Sequence, residues 1–403
     1  MSNSEYQFLK PERSKRKRRP LLRILAISVV GVLVAGGVYI GGSVAYLIGQ
    51  LSGAGVDVYA TDGATFELPT PEEINGPINM LLIGSDTRAN QGDTNYGKSE
   101  AELADVLILL HINQARTNAV ALSFPRDLMV SMPECPNPEG GDPYPAKEYV
   151  QINATLNYGG PACTLLTVQK LTGVRIPYLA MIDFKGVIAM SSAVGGVKVC
   201  VAEDINDRYS KLTLPAGEHT LIGDQALAFL RTRHGVGDGS DLSRISNQQV
   251  FLTSLVRKLK DEGAFTNPFT MLRLGTAAIE NMVLSRSLTD LGVMFGIARE
   301  VNDVDLDKIV FLKLPVYGLS GDYAGRVGLA SERANLLFEK IANDEELVLA
   351  KANPGTGAVV EEDPAATTEE TSSATSEATP EPTQEALPDW AQGTTAAVKS
   401  CSK

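Results

Sequence analysis

Two stretches of this chain end an apolar run in a carboxylate and an arginine. In the first, Ile78-Asn79-Met80-Leu81-Leu82-Ile83-Gly84-Ser85 leads to Asp86 and Arg88. In the second, Ala119-Val120-Ala121-Leu122-Ser123-Phe124 leads through Pro125 to Arg126 and Asp127. Between them Asp105 opens another apolar run, Val106-Leu107-Ile108-Leu109-Leu110. Runs of this length and composition are strands, and strand ends are where α/β sheets build their sites. Carboxylates hold hard cations and guanidinium forks hold oxyanions, so the pairing points to phosphate chemistry.

A third cluster reads Ala226-Leu227-Ala228-Phe229-Leu230-Arg231-Thr232-Arg233-His234 and is expected to set two arginines on one side of an extended segment. After a glycine-rich turn comes Asp241-Leu242-Ser243-Arg244-Ile245-Ser246-Asn247-Gln248. Asp241 reads as the N-cap of a helix, with Arg244 in its first turn and Gln248 one turn later on the same face. The helix dipole disfavours arginine at that end unless an anion sits there too, so the placement itself suggests a phosphate.

These residues need a scaffold. Strand patterns lie at 79–83, 105–112, 117–123, 178–183, 196–201 and 309–315. Helical patterns lie at 163–171, 184–192, 223–229, 242–260, 269–282, 287–302 and 331–343. Their alternation predicts a layered α/β domain over residues 78–345. Residues 52–77 read as a linker. Residues 346–403 read as a disordered tail, because 353–393 is mostly Pro, Thr, Ser, Ala and Glu and buries too little apolar area to offset ordering entropy.

The formal charge of −12 is unevenly spread. Residues 1–23 carry a net +6, and residues 361–385 a net −8. An acidic body is a poor partner for nucleic acid, whose affinity rests on clustered Lys and Arg. The basic segment is followed instead by an uncharged run from Ile24 to Leu51. That is long enough for a bilayer, which needs roughly 20 apolar residues, and too long for an ordinary signal-peptide core. The positive flank places residues 1–23 in the cytoplasm, 24–51 in the membrane and the rest outside.

Four cysteines suit an oxidising exterior, and no paired Cys/His spacing suggests a metal cluster. Cys135 and Cys163 flank a Pro/Gly-rich loop that would benefit from a staple, so their pairing is favoured. Cys200–Cys401 follows by remainder.

Taken in order, the motifs resemble the LytR–CpsA–Psr family. The resemblance is carried by Gly84-Ser85-Asp86-Thr87-Arg88, Ser123-Phe124-Pro125-Arg126-Asp127, Ile152-Asn153-Ala154 with Tyr158-Gly159-Gly160, Val194-Gly195-Gly196-Val197, and Leu214-Pro215-Ala216-Gly217 running on to Arg231-Thr232-Arg233-His234. It covers residues 78 to about 345 and implies a layered α/β/α domain with a central mixed sheet, after one transmembrane helix.

Enzymes of that family transfer glycopolymers from a polyprenyl-pyrophosphate carrier to peptidoglycan or a surface-protein acceptor, releasing polyprenyl phosphate. By the resemblance, Asp86 and Asp105 would hold Mg²⁺. Arg88, Arg126, Arg231 and Arg244 would clamp phosphate oxygens, supported by Arg233 and Gln248. Asp86 and Asp241 are both candidates to assist deprotonation of the acceptor hydroxyl. An apolar slot for the polyprenyl chain is expected among Leu107, Leu109, Leu122, Phe184, Ile188 and Phe251. The chain departs from the family pattern where Leu103, Gln151 and Asn247 replace cations. Two other readings use the same residues: a hydrolase of the pyrophosphate, and a non-catalytic binder of polyprenyl-linked precursors.

Overall fold

The apolar runs that carry the candidate residues become neighbouring strands of one sheet in the computed structural model, which describes residues 55–57, 76–87, 102–361 and 386–403. The basic segment 1–23, the anchor expected over 24–51, and Arg88 lie outside the described residues.

β1 (Ile78–Ser85), β2 (Ala104–Ile112) and β3 (Ala119–Phe124) pair antiparallel in chain order. A small ladder, β4 (Met129–Met132) with β5 (Lys147–Gln151), leads into α1 (Thr155–Thr172). β6 (Tyr178–Ile182) returns parallel to β1 and feeds α2 (Phe184–Ala193), whose cap is the Asp183 carboxylate accepting the Gly186 N–H at 2.7 Å. Outside the main sheet follow β7 (Val197–Val201), β8 (Ile205–Asp207), β9 (Leu212–Leu214) and β10 (Gly217–Leu221). The helices α3 (Asp224–Arg231), α4 (Asp241–Asp261) and α5 (Pro268–Asn281) come next, then β11 (Met282–Leu284) and α6 (Leu291–Asp303). β12 (Ile309–Lys313) pairs parallel to β3. The hairpin β13 (Val316–Gly318) and β14 (Val327–Leu329) precedes α7 (Ser331–Ala342). Three short strands end the chain: β15 (Ala358–Val360), β16 (Gly393–Thr395) and β17 (Ser400–Ser402).

The seven-stranded mixed sheet runs β11-β6-β1-β2-β3-β12-β16. Side chains alternate across it. Leu81, Ile83, Leu107 and Leu109 pack under α1 and α7, against Leu165, Val168, Leu337 and Phe338. Met80, Ile108 and Ala180 face the other way, towards Val293 and Ile297 of α6 with Leu252 and Val256 of α4. This is the expected layered α/β/α arrangement. Both disulfides also pair as expected, Cys135–Cys163 and Cys200–Cys401.

The segment 346–403, expected to be disordered, is instead built into the domain over 346–361 and 386–403. Leu347, Leu387 and Ala391 are buried in the core on the α1 side. β16 pairs with β12, and β17 lies between β7 and β15 in a second sheet of order β10-β7-β17-β15. The averaged composition hid a compact apolar stretch, Leu387-Pro388-Asp389-Trp390-Ala391, and Cys401 holds β17 to Cys200 with Cα atoms 4.5 Å apart. Residues 362–385 lie outside the described residues. Part of the expected linker is also docked: the Val56 N–H donates to the Leu284 carbonyl at 2.9 Å, and the Val56 carbonyl accepts from the Arg286 N–H at 2.9 Å.

Two stability measurements follow from this architecture. The pair Cys200→Ser and Cys401→Ser releases a strand closed over a sequence separation of 201, and is expected to cost about 2–5 kcal/mol, read as a lower denaturant midpoint. The second concerns His111 in β2, which is fully buried with Nδ1 2.8 Å from Asn79 Oδ1. Burial pushes its pKa down to about 4, against the pull of the Asp344 carboxylate. The unfolded chain therefore takes up this proton near pH 6.5 and the folded chain only near 4, so stability falls as pH drops through that window. Between pH 7 and 5 the wild type should lose about 2 kcal/mol more than His111→Gln in parallel denaturant titrations.

Candidate active site at the mouth of an apolar slot

Asp86 and Asp105 are set by an irregularity between β1 and β2. Gly84 pairs with Val106 and Ser85 with Ala104, so Asp105 is an extra residue, a bulge in β2. A bulge takes a residue out of the ladder and re-aims its groups. Here the freed Asp105 carbonyl accepts from Arg244 Nη2 at 2.7 Å, and its carboxylate accepts from Arg126 Nη1 at 2.6 Å. The partner position must be glycine, because a Cβ on Gly84 would stand 2.8 Å from Val106 Cβ. One residue past β1, the Asp86 N–H donates to the Leu103 carbonyl at 3.1 Å, and Asp86 Oδ1 accepts the Leu103 N–H at 2.9 Å. Leu103 thus serves Asp86 through its backbone.

Arg126 leaves β3 and meets α4. Its N–H donates to Asp241 Oδ2 at 3.3 Å, and its Nε lies 3.4 Å from Asp241 Oδ1. Arg244 Nη2 lies 2.7 Å from the same Oδ1. Asp241 is therefore not the N-cap that the sequence suggested. Ser240 caps α4 by accepting the Ser243 N–H at 3.2 Å, which leaves the Asp241 carboxylate to the two guanidinium groups. With both oxygens facing arginine, Asp241 is placed to position cations. Arg244 and Gln248 share a face as expected, and Gln248 Nε2 donates to the Leu230 carbonyl at 3.1 Å.

The segment Arg231–Arg233 is not extended throughout, as had been expected. Arg231 is the last residue of α3, a favourable end for a cation, and its guanidinium lies 4.3 Å from the Phe184 ring centroid. Arg233 follows in irregular chain held by a residue that the motifs did not indicate. Asp207 Oδ2 accepts from Thr232 Oγ1 at 2.7 Å, from the Arg233 N–H at 3.0 Å and from the His234 N–H at 3.2 Å. Burial works against this carboxylate, but the Thr232 hydroxyl and the N–H groups of Arg233, Tyr209 and Ser210 outweigh it and hold its pKa down to about 2. Its only trace in the sequence is an acidic residue closing the short pattern Ile205-Asn206-Asp207.

Asp105, Arg126, Arg231, Arg233, Arg244 and Gln248 all line one cavity of about 470 Å³. Its walls are apolar and include Val106, Ile108, Ala180, Val187, Met190 and Phe251. Ser85 lines it, whereas Asp86 beyond does not. Of the expected slot residues, Phe184 and Phe251 contribute. Leu107, Leu109 and Leu122 do not: they belong to the core on the other face of the sheet, and strand alternation puts Val106 and Ile108 into the slot. On α2 it is Val187 and Met190, rather than Ile188, that line it.

The charges are balanced tightly. Burial disfavours the charged Arg126, but Asp105, Asp241 and Asp127 outweigh it and raise its pKa. In Arg244, only 4% exposed, burial wins and lowers the pKa, with Arg126 and Arg233 adding repulsion against the pull of Asp241 and Asp105. The Nε atoms of Arg126, Arg233 and Arg244 are buried without a hydrogen-bond partner among the described residues. A buried donor without a partner costs about 1–3 kcal/mol, more when charged. Arg126 Nε is ion-paired with Asp241 and Asp127, and an oxyanion would satisfy the other two.

Two departures from the family pattern have local explanations. Gln151 Nε2 donates to Asp127 Oδ1 at 2.8 Å. Asn247 is fully buried, donating to the Phe229 carbonyl at 2.6 Å and accepting from Ser402 Oγ at 2.5 Å. Both are structural hydrogen bonds. Among the described residues no three His, Cys, Asp or Glu side chains gather into a metal cage. Carboxylates such as Asp86 and Asp105 are the donor type that Mg²⁺ takes, usually one or two of them with phosphate oxygens and water completing the shell.

The chain matches the LytR_cpsA_psr family over residues 46–336. The cell wall biosynthesis protein LcpA of Corynebacterium glutamicum is 27% identical over 346 residues, 78% of this chain but only 64% of that protein, so the match spans less than two thirds of that relative's length. TagT of Bacillus subtilis, a polyisoprenyl-teichoic acid–peptidoglycan teichoic acid transferase, is 28% identical over 261 residues, 62% of this chain and 75% of TagT. The solved structure of a LytR-Csp2A-Psr enzyme from Actinomyces oris shares the fold, with a TM-score of 0.51 at 22% identity over 72% of this chain and 95% of that one. The family match takes in the bulged strand pair, the arginine cluster and the helices that wall the slot: the chain belongs to the LytR–CpsA–Psr family.

Proposed function

We propose that the protein transfers a glycopolymer from a polyprenyl-pyrophosphate carrier to peptidoglycan in the cell wall. One observation carries this reading. Three arginines, one just past β3 and two flanking the turn before α4, converge at the mouth of an apolar slot, and the Nε–H groups of Arg233 and Arg244 are buried without a hydrogen-bond partner among the described residues. A ligand with an oxyanion head and an apolar tail answers both halves, and the name of TagT, a polyisoprenyl-teichoic acid–peptidoglycan teichoic acid transferase, describes such a substrate.

The polyprenyl chain enters between β2, β6, α2 and α4, and the pyrophosphate meets Arg126, Arg233 and Arg244, with Arg231 and Gln248 beside it. An acceptor hydroxyl oxygen attacks the phosphorus next to the glycan. The bond to the bridging oxygen breaks, polyprenyl phosphate leaves with that oxygen, and the hydroxyl proton passes to a base, for which Asp86 is the candidate. Asp241 has both oxygens facing arginines and positions them. Asp86 and Asp105 would hold Mg²⁺, which supplies further neutralisation of phosphate charge. In such transfers positioning and charge neutralisation account for most of the rate. Arg88 is proposed to join the clamp on the strength of its motif. The anchor over 24–51 would keep the domain at the outer face of the membrane, within reach of a lipid-linked donor. The side chains of Gln151 and Asn247, and the backbone of Leu103, are engaged in local structure.

The test incubates the full chain with a short-chain polyprenyl-pyrophosphate glycan, Mg²⁺ and uncrosslinked peptidoglycan, followed by mass spectrometry. Glycan on the acceptor together with polyprenyl monophosphate is expected. Monophosphate alone would indicate a hydrolase, and bound but intact donor a binding protein. Arg126→Ala and Arg244→Lys should each lower kcat on the order of 10²-fold or more, since an ammonium cannot reproduce the guanidinium fork. Val187→Trp narrows the slot and should raise KM several-fold for long-chain donors while sparing short-chain ones, as steady-state rates against chain length would show.

A further inference from the structure

Three tyrosines stand exposed beyond Arg126, on the side of the sheet opposite the slot. Tyr149, Tyr317 and Tyr323 are 49%, 55% and 43% exposed. Tyr149 and Tyr323 meet edge to face, with ring centroids 4.9 Å apart. Their supports, β4–β5 and β13–β14, pack through Val150, Val316, Val327 and Leu329 against the core that contains Leu107 and Leu109. The slot opens on the face of Val106 and Ile108.

Several features hold this pair outward. Val130 pairs with Val150 but Met132 with Lys147, so β5 carries an extra residue across that step. Tyr149 sits within the irregularity at φ 58°, a left-handed backbone that a bulky residue rarely adopts and that surrounding structure must impose. Residues close to the tyrosines in sequence reach Arg126 through Asp127. Asp127 Oδ1 accepts from Gln151 Nε2 at 2.8 Å and from Arg326 Nη1 at 3.2 Å, while its Oδ2 lies 3.7 Å from Arg126 Nε. Gln151 is two residues from Tyr149, and Arg326 three from Tyr323.

We infer that Tyr149 and Tyr323, with Gln151 and Arg326, form a subsite for the glycan of the acceptor. The inference rests on the transferase reading above. If the polyprenyl phosphate leaves towards the slot, an in-line attack brings the acceptor hydroxyl from the opposite side, where the tyrosines are. A pyranose ring offers an electropositive C–H face and a rim of hydroxyls. The negative face of an aromatic ring suits the first, and amide and guanidinium groups beside it suit the second. The rings are interleaved with Lys147, Glu148 and Asp322, so the patch is neither a continuous apolar surface for a protein nor a basic one for anionic lipid.

The test uses the full chain and its variant with Tyr149→Gly and Tyr323→Ala, with soluble uncrosslinked peptidoglycan oligomers as the probe. Glycine accepts the left-handed backbone, and an unchanged melting temperature for Tyr149→Gly alone confirms an intact fold. Titration calorimetry should show oligomer binding weakened tenfold or more in the double variant and retained in the Tyr149→Phe, Tyr323→Phe pair. In the transfer assay the acceptor KM should rise by a similar factor with the donor KM unchanged. Equal oligomer affinity in wild type and variant, or no oligomer binding by the wild type, overturns the subsite even if transfer proceeds. A rise in donor KM alone would assign the tyrosines to the donor's glycan and overturn it as well. Oligomer binding that depends on the tyrosines, with no transfer by the wild type, would leave the subsite standing and sink the transferase reading.

Discussion

Two carboxylates hold two like-charged guanidinium groups in one buried cluster, and the site depends on that balance. Asp241 faces both Arg126 and Arg244, and Asp105 takes Arg126 with its carboxylate and Arg244 with its carbonyl. Without them, two cations largely removed from water would repel and drift to solvent. With them, the cations stay fixed and still have donors to spare. Under the proposed function the cluster would receive the negative charge of the ligand, and oriented groups that need not reorganise are what stabilise developing charge best.

That balance relies on α4 being held in register, and the C-terminal segment contributes most of the restraint. Ser243 Oγ lies 2.8 Å from Thr356 Oγ1, Ser246 donates to the Pro354 carbonyl at 2.9 Å, and Ser402 reaches Asn247. From below, Lys313 donates to Ser246, and burial pushes this lysine down to about 8. Four contacts within little more than one turn of the helix, on the side away from the slot, leave Arg244 and Gln248 little freedom. Asn247, where the family pattern has a cation, belongs to this support.

The strands, the helices and their α/β layering were legible in the sequence because apolar periodicity is local and strong, whereas the mixed sheet was implied by the family resemblance. The arginine cluster was legible through residue type in combination: each arginine beside a carboxylate is alone an ordinary salt-bridged turn, and their joint occurrence on an acidic chain is what pointed to an anion. Less visible was the face on which the slot lies. β2 is apolar on both sides, so its sequence offers no alternation by which to choose Val106 and Ile108 over Leu107 and Leu109. Asp207 escaped notice because its role consists of hydrogen bonds to residues 25 to 27 positions away.

By itself, then, the sequence determined which elements form, which arginines and carboxylates sit at their ends, and how the cysteines pair. Tertiary structure alone decided that Asp105 bulges out of β2, that Asp241 bridges two arginines instead of capping its helix, and that the C-terminal residues are built into the domain. The reason is common to all three. Periodicity and capping preferences act over a few residues, whereas each of these outcomes was decided by partners more than a hundred positions away.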